Sequence, residues 1–109
     1  MKSIIVDDKY SGYCLICGKP TTTTHHCIEG TSNRRMSDAN GLVIPLCDEH
    51  HNMSEMSVHF NKEMRVLCHI LAQLAYEKHF IAEKSQIPFW DIEQEARESF
   101  RSLFGKSYL

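Results

Sequence analysis

Two pairs of soft metal ligands constrain the fold of this chain more than any other feature of its sequence. Cys14 and Cys17 stand two residues apart, and Cys47 and His50 repeat that spacing later in the chain. Each short turn places two ligands on one side of an ion, and two such turns complete the tetrahedral set that zinc prefers. We therefore predict a structural zinc site on these four residues. The alternative is a chance spacing of buried thiols.

The histidines exceed what one zinc site can use. His25 and His26 are adjacent between the two ligand pairs, and His51 directly follows His50. In one interpretation the zinc site is enlarged, and His25 or His26 replaces His50. Neighbouring residues on a strand point to opposite faces, however, so both histidines cannot easily serve the same ion. This geometry favours one metal ligand and one residue with a different role.

Length and cysteine usage favour a small domain in a reducing compartment. With 109 residues and 42% hydrophobic content, we expect a single domain, 1–109, whose modest core gains stability from a bound metal. The five cysteines are odd in number and three lie at metal-ligand spacing, which argues against a disulfide framework. Cys27 and Cys68 are predicted to be core residues. The apolar run 4–6 is too short for a signal peptide or a membrane span, so we expect a cytoplasmic protein without a membrane partner.

The chain divides into three predicted regions. Residues 1–12 form an arm or a short strand, and residues 13–61 form a loop-dominated core with no sustained helical period. In that core a strand at 25–28 pairs with a strand at 41–46 that delivers Cys47. Residues 61–109 form a helical extension, with one helix at 61–83 and a second that begins near Pro88 and ends at Gly105. The expected buried face of the first helix comprises Met64, Leu67, Cys68, Leu71, Leu74 and Ala75.

The segments Thr24-His25-His26-Cys27-Ile28-Glu29-Gly30, 41–51 and Val58-His59-Phe60-Asn61 resemble the HNH, or ββα-metal, endonucleases. The resemblance covers about Tyr13 to Asn61 and is closest to small phage-borne HNH proteins. The same segments are also similar to phage recombination-enhancement nucleases. It implies an α+β fold: a small zinc-stabilised ββα-metal core followed by two C-terminal helices. The implied activity is metal-dependent hydrolysis of DNA phosphodiester bonds in a bacterial host cell.

The family pattern also implies a role for each motif residue. His26 corresponds to the general base, and His25 and His51 to ligands of a catalytic divalent cation. A third ligand is expected at His59, with Glu55 as the alternative. Three imidazoles favour Zn²⁺, Ni²⁺, Mn²⁺ or Co²⁺ over Mg²⁺, which prefers oxygen ligands, although the cation used in the cell stays open.

Asn40 is the expected middle residue of the motif, where it orients His26 or fixes the loop. The chain departs from the family pattern in two places. His50 replaces the usual second cysteine of the structural site, and Gly41 shifts Asn40 by one position. Because of this shift, Asp38 and Asn33 are the alternative residues for the role expected of Asn40.

The expected partners are DNA and a phage or host recombination or replication protein, and a homodimer is also compatible with the sequence. The net charge of -2 argues against a strongly basic nucleic-acid binder, although bound cations would concentrate positive charge at the site. Arg34 and Arg35 are candidate phosphate contacts, or part of a solvated loop. His69 and His79 lack partners at ligand spacing. The alternative functions are a non-catalytic zinc module that binds DNA or a recombination protein, and an inhibitory phage factor.

Overall fold

The computed structural model describes residues 3–53, 61–84 and 92–109, and it has an α+β fold with a two-stranded sheet and three α-helices. Strand β1, Thr24–His26, pairs antiparallel with β2, Val43–Pro45, and His25 lies opposite Ile44. This confirms the predicted pairing of the two apolar segments. β-Branched residues favour extended backbone, and Pro45 has no N–H with which to continue the ladder.

Helix α1, Thr31–Ala39, connects the two strands. The prediction of an irregular loop here was wrong. The helix is polar, and only Met36 and Ser37 among its described side chains turn clearly inward, so it has little apolar periodicity. Ser37 is fully buried and its hydroxyl donates to Ile28 O at 3.4 Å, which replaces apolar packing with a hydrogen bond to the backbone after β1.

The segment before the first cysteine is an arm and not a strand. Ser3 Oγ donates to Val43 O at 2.6 Å, and Ile4 N donates to Gly41 O at 2.9 Å. A 3-10 turn at Asp8–Tyr10 follows. These contacts attach the arm to the beginning of β2.

Two helices form the extension. Helix α2, Lys62–Glu83, begins at Asn61, whose side chain accepts from Met64 N at 3.1 Å, and this confirms the predicted helix at 61–83. Helix α3 is Ile92–Phe104. It ends at Gly105, which has a φ of 83° and whose N–H donates to Arg101 O, as predicted. The predicted helix start near Pro88 lies outside the described residues.

The buried face of α2 differs from the predicted one. Leu67 and Leu74 are about half exposed, at 48% and 52%, although the apolar spacing placed them in the core. The buried residues of α2 are Cys68, Ala72, Gln73, Tyr76 and Glu77. The buried face is rotated because Gln73 and Glu77 form hydrogen bonds inside the protein. A prediction from apolar spacing does not include such buried polar residues.

One core cluster connects the sheet region with the two long helices. It includes Ile28, Leu42 and Ile44 from the sheet region, and Ala72 and Phe100 from α2 and α3. Cys27 and Cys68 are both buried in it, as predicted. In the ranges that the structure describes, no helix combines the length and apolar character needed to cross a membrane.

Candidate metal centre and active site

Cys14, Cys17, Cys47 and His50 converge as the sequence predicts. Their ligand atoms all lie within 4.8 Å of one another. Cys17 Sγ is 3.6 Å from Cys47 Sγ, and His50 Nδ1 is 3.2 Å from Cys47 Sγ and 3.7 Å from Cys14 Sγ. With Zn–S bonds of about 2.3 Å, a tetrahedral site separates its sulfur atoms by about 3.8 Å. The four residues are therefore close enough to hold a metal, consistent with structural zinc.

Short turns present the two ligand pairs to each other. Gly18 N donates to Cys14 O at 2.9 Å, and Gly18 takes a φ of 79°, which closes the first turn tightly. In the second pair, His50 N donates to Cys47 O at 3.1 Å. Leu15 N donates to Pro45 O, so the first turn is attached to the end of β2 that leads to Cys47.

The cluster favours an ionised thiol at Cys14. Burial of the Cys14 thiol raises its pKa, but hydrogen bonds from backbone groups of Cys47, Cys17 and Ile16 outweigh burial and lower the pKa to about 6. The thiolate is the form of cysteine that binds metals. At neutral pH this residue is therefore already in its ligating state.

A second group of residues lines a cavity of about 360 Å³ beside the sheet. The cavity walls come from β1, from the junction between β1 and α1, from α1 and from a π-helical turn at Glu49–Met53. The lining side chains that carry chemistry are His25, His26, Glu29, Arg34 and His51. Sequence segments that are well separated along the chain thus meet at one concave site.

His25 and His51 face each other in this cavity. Their ring centroids are 5.3 Å apart with an interplanar angle of 64°, and His25 is only 4% exposed. His51 directly follows zinc-site residue His50, so one turn supplies side chains to both sites. The predicted third cation ligand, His59 or Glu55, lies outside the described residues. Among the described residues, only the four zinc-site residues form a metal-ligating group of three or more.

His26 also lines the cavity and contacts α1. His26 Nε2 is 2.6 Å from Asp38 Oδ1. The His26 side chain is 20% exposed, so it reaches solvent while its position is fixed by the carboxylate. Asp38 is one of the two substitutes that the shifted motif left open.

Asn40, in contrast to Asp38, bonds to the backbone of α1. Its Nδ2 donates to Met36 O at 2.8 Å, and its backbone N–H donates to the same carbonyl at 3.1 Å. Asn40 thus ends α1 and fixes the loop to β2, which is one of the two roles expected for it. The carboxylate beside His26 in this structure is that of Asp38.

The two arginines differ in their relation to the cavity. Both are exposed on α1, which replaces the predicted loop, but Arg34 lines the cavity and Arg35 is not among its lining residues. Arg34 therefore belongs to the same cavity as the histidines. Arg35 could contact a phosphate only farther along the surface.

Glu29 and His69 form a contact that the sequence did not reveal. His69 Nε2 in α2 lies 3.2 Å from Glu29 Oε2, although the two groups are not aligned for a hydrogen bond. Glu29 belongs to the HNH-like motif, but no partner for it can be identified without the position of α2. The chain matches no protein-family model, no curated protein and no solved structure.

Proposed function

We propose that this protein is a metal-dependent endonuclease of the HNH type that hydrolyses DNA phosphodiester bonds. The observation that carries this proposal is the single cavity shared by His25, His26, Arg34 and His51. A purely structural zinc module does not require a histidine beside a carboxylate, and it does not require the pair of imidazoles next to that histidine. Phosphodiester hydrolysis uses each of them.

His26 is the proposed general base. His26 Nε2 lies 2.6 Å from Asp38 Oδ1, so a neutral ring with its proton on Nε2 would keep Nδ1 as the basic nitrogen that takes a proton from water. Asp38 holds the ring in that tautomer and stabilises the imidazolium after proton transfer. Asp38 is therefore a positioning residue, and His26 is the catalytic residue.

His25 and His51 are the proposed protein ligands of a catalytic divalent cation. Such a cation would supply Lewis-acid stabilisation of charge on the phosphate and on the departing oxygen. Arg34 is the proposed contact to a neighbouring phosphate, because its side chain lines the same cavity. The expected products carry 5′ phosphate and 3′ hydroxyl ends.

The zinc centre has a structural role in this proposal. His50 belongs to the zinc cluster and His51 belongs to the cavity, and the two are adjacent in one π-helical turn. Fixing the turn at His50 therefore also fixes the direction of His51. This is the physical link between zinc binding and the proposed catalytic site.

The test is cleavage of supercoiled plasmid by the zinc-loaded protein with added Mg²⁺, Mn²⁺, Ni²⁺ or Zn²⁺. We expect nicked or linear DNA with at least one cation and none with chelator. His25→Ala and His51→Ala should each require more cation for half-maximal cleavage. DNA binding without breaks under every condition would instead support the non-catalytic zinc module.

Replacement of Asp38 by asparagine tests the orientation of the base. We expect Asp38→Asn to lower kcat about 10- to 100-fold, a part of the ~10²- to 10⁴-fold effect of general-base catalysis. The amide is similar in shape but cannot stabilise the imidazolium as a carboxylate does. The readout is the single-turnover rate of plasmid nicking at saturating protein and cation.

Asn40→Ala is the matched control for Asp38→Asn. It removes the side-chain bond to Met36 O, so we expect a loss of about 1 kcal/mol in the free energy of unfolding. The cleavage rate should stay within about threefold of the unmodified protein, because this neutral, partly buried bond makes no contact with the proposed reacting atoms. If Asn40→Ala abolished cleavage and Asp38→Asn did not, the assignment of Asp38 would be wrong.

A further inference from the structure

Glu29 lies at the junction of β1 and α1, where the chain changes direction. The next residue, Gly30, has a φ of 101° and precedes the first turn of α1. That backbone conformation is accessible chiefly to glycine, so the change in direction is concentrated at this position. Arg34 N donates to Gly30 O at 2.8 Å, which ties the junction to the helix.

Helix α2 contacts this junction through His69. The His69 side chain is 13% exposed, and its Nε2 is 3.2 Å from Glu29 Oε2. This is an ion pair when the ring is protonated and a polar contact when it is not. The Glu29 side chain is 43% exposed, so this contact restricts the carboxylate on the side that faces α2.

His69 is in turn held by Tyr108, which follows α3. The two ring centroids are 4.4 Å apart. Tyr108 is fixed by its backbone N–H, which donates to Gln73 Oε1 at 2.6 Å, and Gln73 Nε2 also donates to Ser107 Oγ at 2.9 Å. Gln73 is fully buried, and both bonds are partly buried. Burial raises the pKa of Tyr108, and the negative charge of Glu29 raises it further.

The junction affects the proposed catalytic geometry because it connects the two elements that carry it. β1 carries His26, and α1 carries Asp38, and these side chains are 2.6 Å apart. A shift of α1 about the junction would lengthen that distance directly. Arg34, on the same helix, would move with it.

We propose that Tyr108, His69 and Glu29 form a brace, here called the Glu29 brace, that holds the β1–α1 junction and thereby keeps Asp38 against His26. The expected effect of the brace on kcat rests on the endonuclease function proposed above. Its expected effect on the β1–α1 junction does not. Glu29 and His69 are positioning residues in this account. The helical extension is thus a part of the active-site structure and not only a cover for the core.

Hydrogen exchange tests the structural consequence without any DNA. Tyr108→Leu removes the ring against His69, and Glu29→Gln removes the carboxylate charge, so both should speed amide exchange at 27–30 about fivefold through local opening. Tyr108→Phe keeps the ring and should restore the slow exchange. Phe104→Leu is the matched control, because it shortens a buried aromatic side chain whose ring packs against Phe100, whereas the ring against His69 is that of Tyr108.

Cleavage kinetics test the positioning role. We expect Tyr108→Leu and Glu29→Gln to lower kcat about tenfold with KM for DNA within twofold, and Tyr108→Phe and Phe104→Leu to change neither. The double variant with Glu29→Gln and Tyr108→Leu should lower kcat no more than either single change does, because both changes act on one brace.

Two outcomes would overturn the proposal. One is an equal effect of Tyr108→Leu and Phe104→Leu on amide exchange and on kcat. The other is faster exchange with unchanged kcat. If the unmodified protein cut no DNA, the endonuclease function would fail, and exchange at 27–30 alone would decide whether the brace exists.

Discussion

Replacement of His26 by alanine is expected to lower the rate of DNA cleavage by about 10²- to 10⁴-fold, the usual contribution of a general base. The imidazole lines the cavity and combines a carboxylate partner with partial exposure, at 20% for its side chain. The measurement is the single-turnover rate of plasmid nicking at saturating cation. Zinc content and melting temperature should change little, because a partly exposed ion pair contributes about 0–1 kcal/mol.

His79→Ala is the control for this substitution. His79 is an exposed histidine of α2 that pairs with Glu83 at 2.9 Å, and it lies outside the histidine cavity. We expect His79→Ala to cleave DNA at the unmodified rate. Cleavage by His26→Ala at that same rate would remove His26 from the mechanism.

Replacement of Cys47 by alanine is expected to leave the protein largely unfolded. Structural zinc contributes an apparent ~10–16 kcal/mol in small zinc domains, which is comparable with the whole stability of about 5–15 kcal/mol of a typical domain. Cys47 is 8% exposed and belongs both to the zinc cluster and to the core cluster that includes α2 and α3. Loss of zinc should therefore also destabilise the helices. The measurements are zinc per chain and thermal unfolding followed by circular dichroism.

Cys27→Ala separates loss of zinc from loss of a buried thiol. Cys27 is fully buried but is not part of the zinc cluster. We expect this variant to keep one zinc per chain and to lose about 1–2 kcal/mol of stability from its small cavity. If Cys47→Ala retained zinc and the melting temperature of the unmodified protein, the structural site would have been assigned to the wrong residues.

The features best predicted from the sequence are those encoded by local spacing. The zinc ligands come in two tight turns, so Cys14 and Cys17 could be identified as a pair without any tertiary information. The same holds for the strand pairing at His25 and for the ends of α2, where the capping side chain of Asn61 lies next to a long helical segment. For the zinc-ligand turns and the start of α2 the signal lies within a few residues, and for the strand pairing each strand is indicated locally although the two are far apart in the chain.

The features missed depend on contacts between distant residues. Helix α1 has almost no apolar face, because Ser37 is buried through a hydrogen bond and not through hydrophobic packing. The inward face of α2 includes Gln73 and Glu77, whose partners Ser107, Tyr108 and Arg97 come from α3 and the segment after it. No periodicity in one segment predicts a polar residue that is satisfied by another segment.

The same difference between local signals and contacts of distant residues applies to the candidate site. The adjacent pair His25 and His26 predicted one ligand and one base, which stays a prediction; in the structure His25 lies beside His51 and His26 beside Asp38. The choice of Asp38 over Asn40 as the partner of His26 could not be made from the sequence, because it depends on α1 being a helix. The contact of Glu29 with His69 needed the position of α2 for the same reason.

Anomalous diffraction from crystals of the zinc-loaded protein soaked in Mn²⁺ tests the central claim most directly. The account predicts a zinc peak among Cys14, Cys17, Cys47 and His50, and a separate manganese peak bound by His25 and His51 beside His26. A single ion confined to the cysteine cluster, with no cation at the two histidines at saturating Mn²⁺, would contradict the proposed catalytic site.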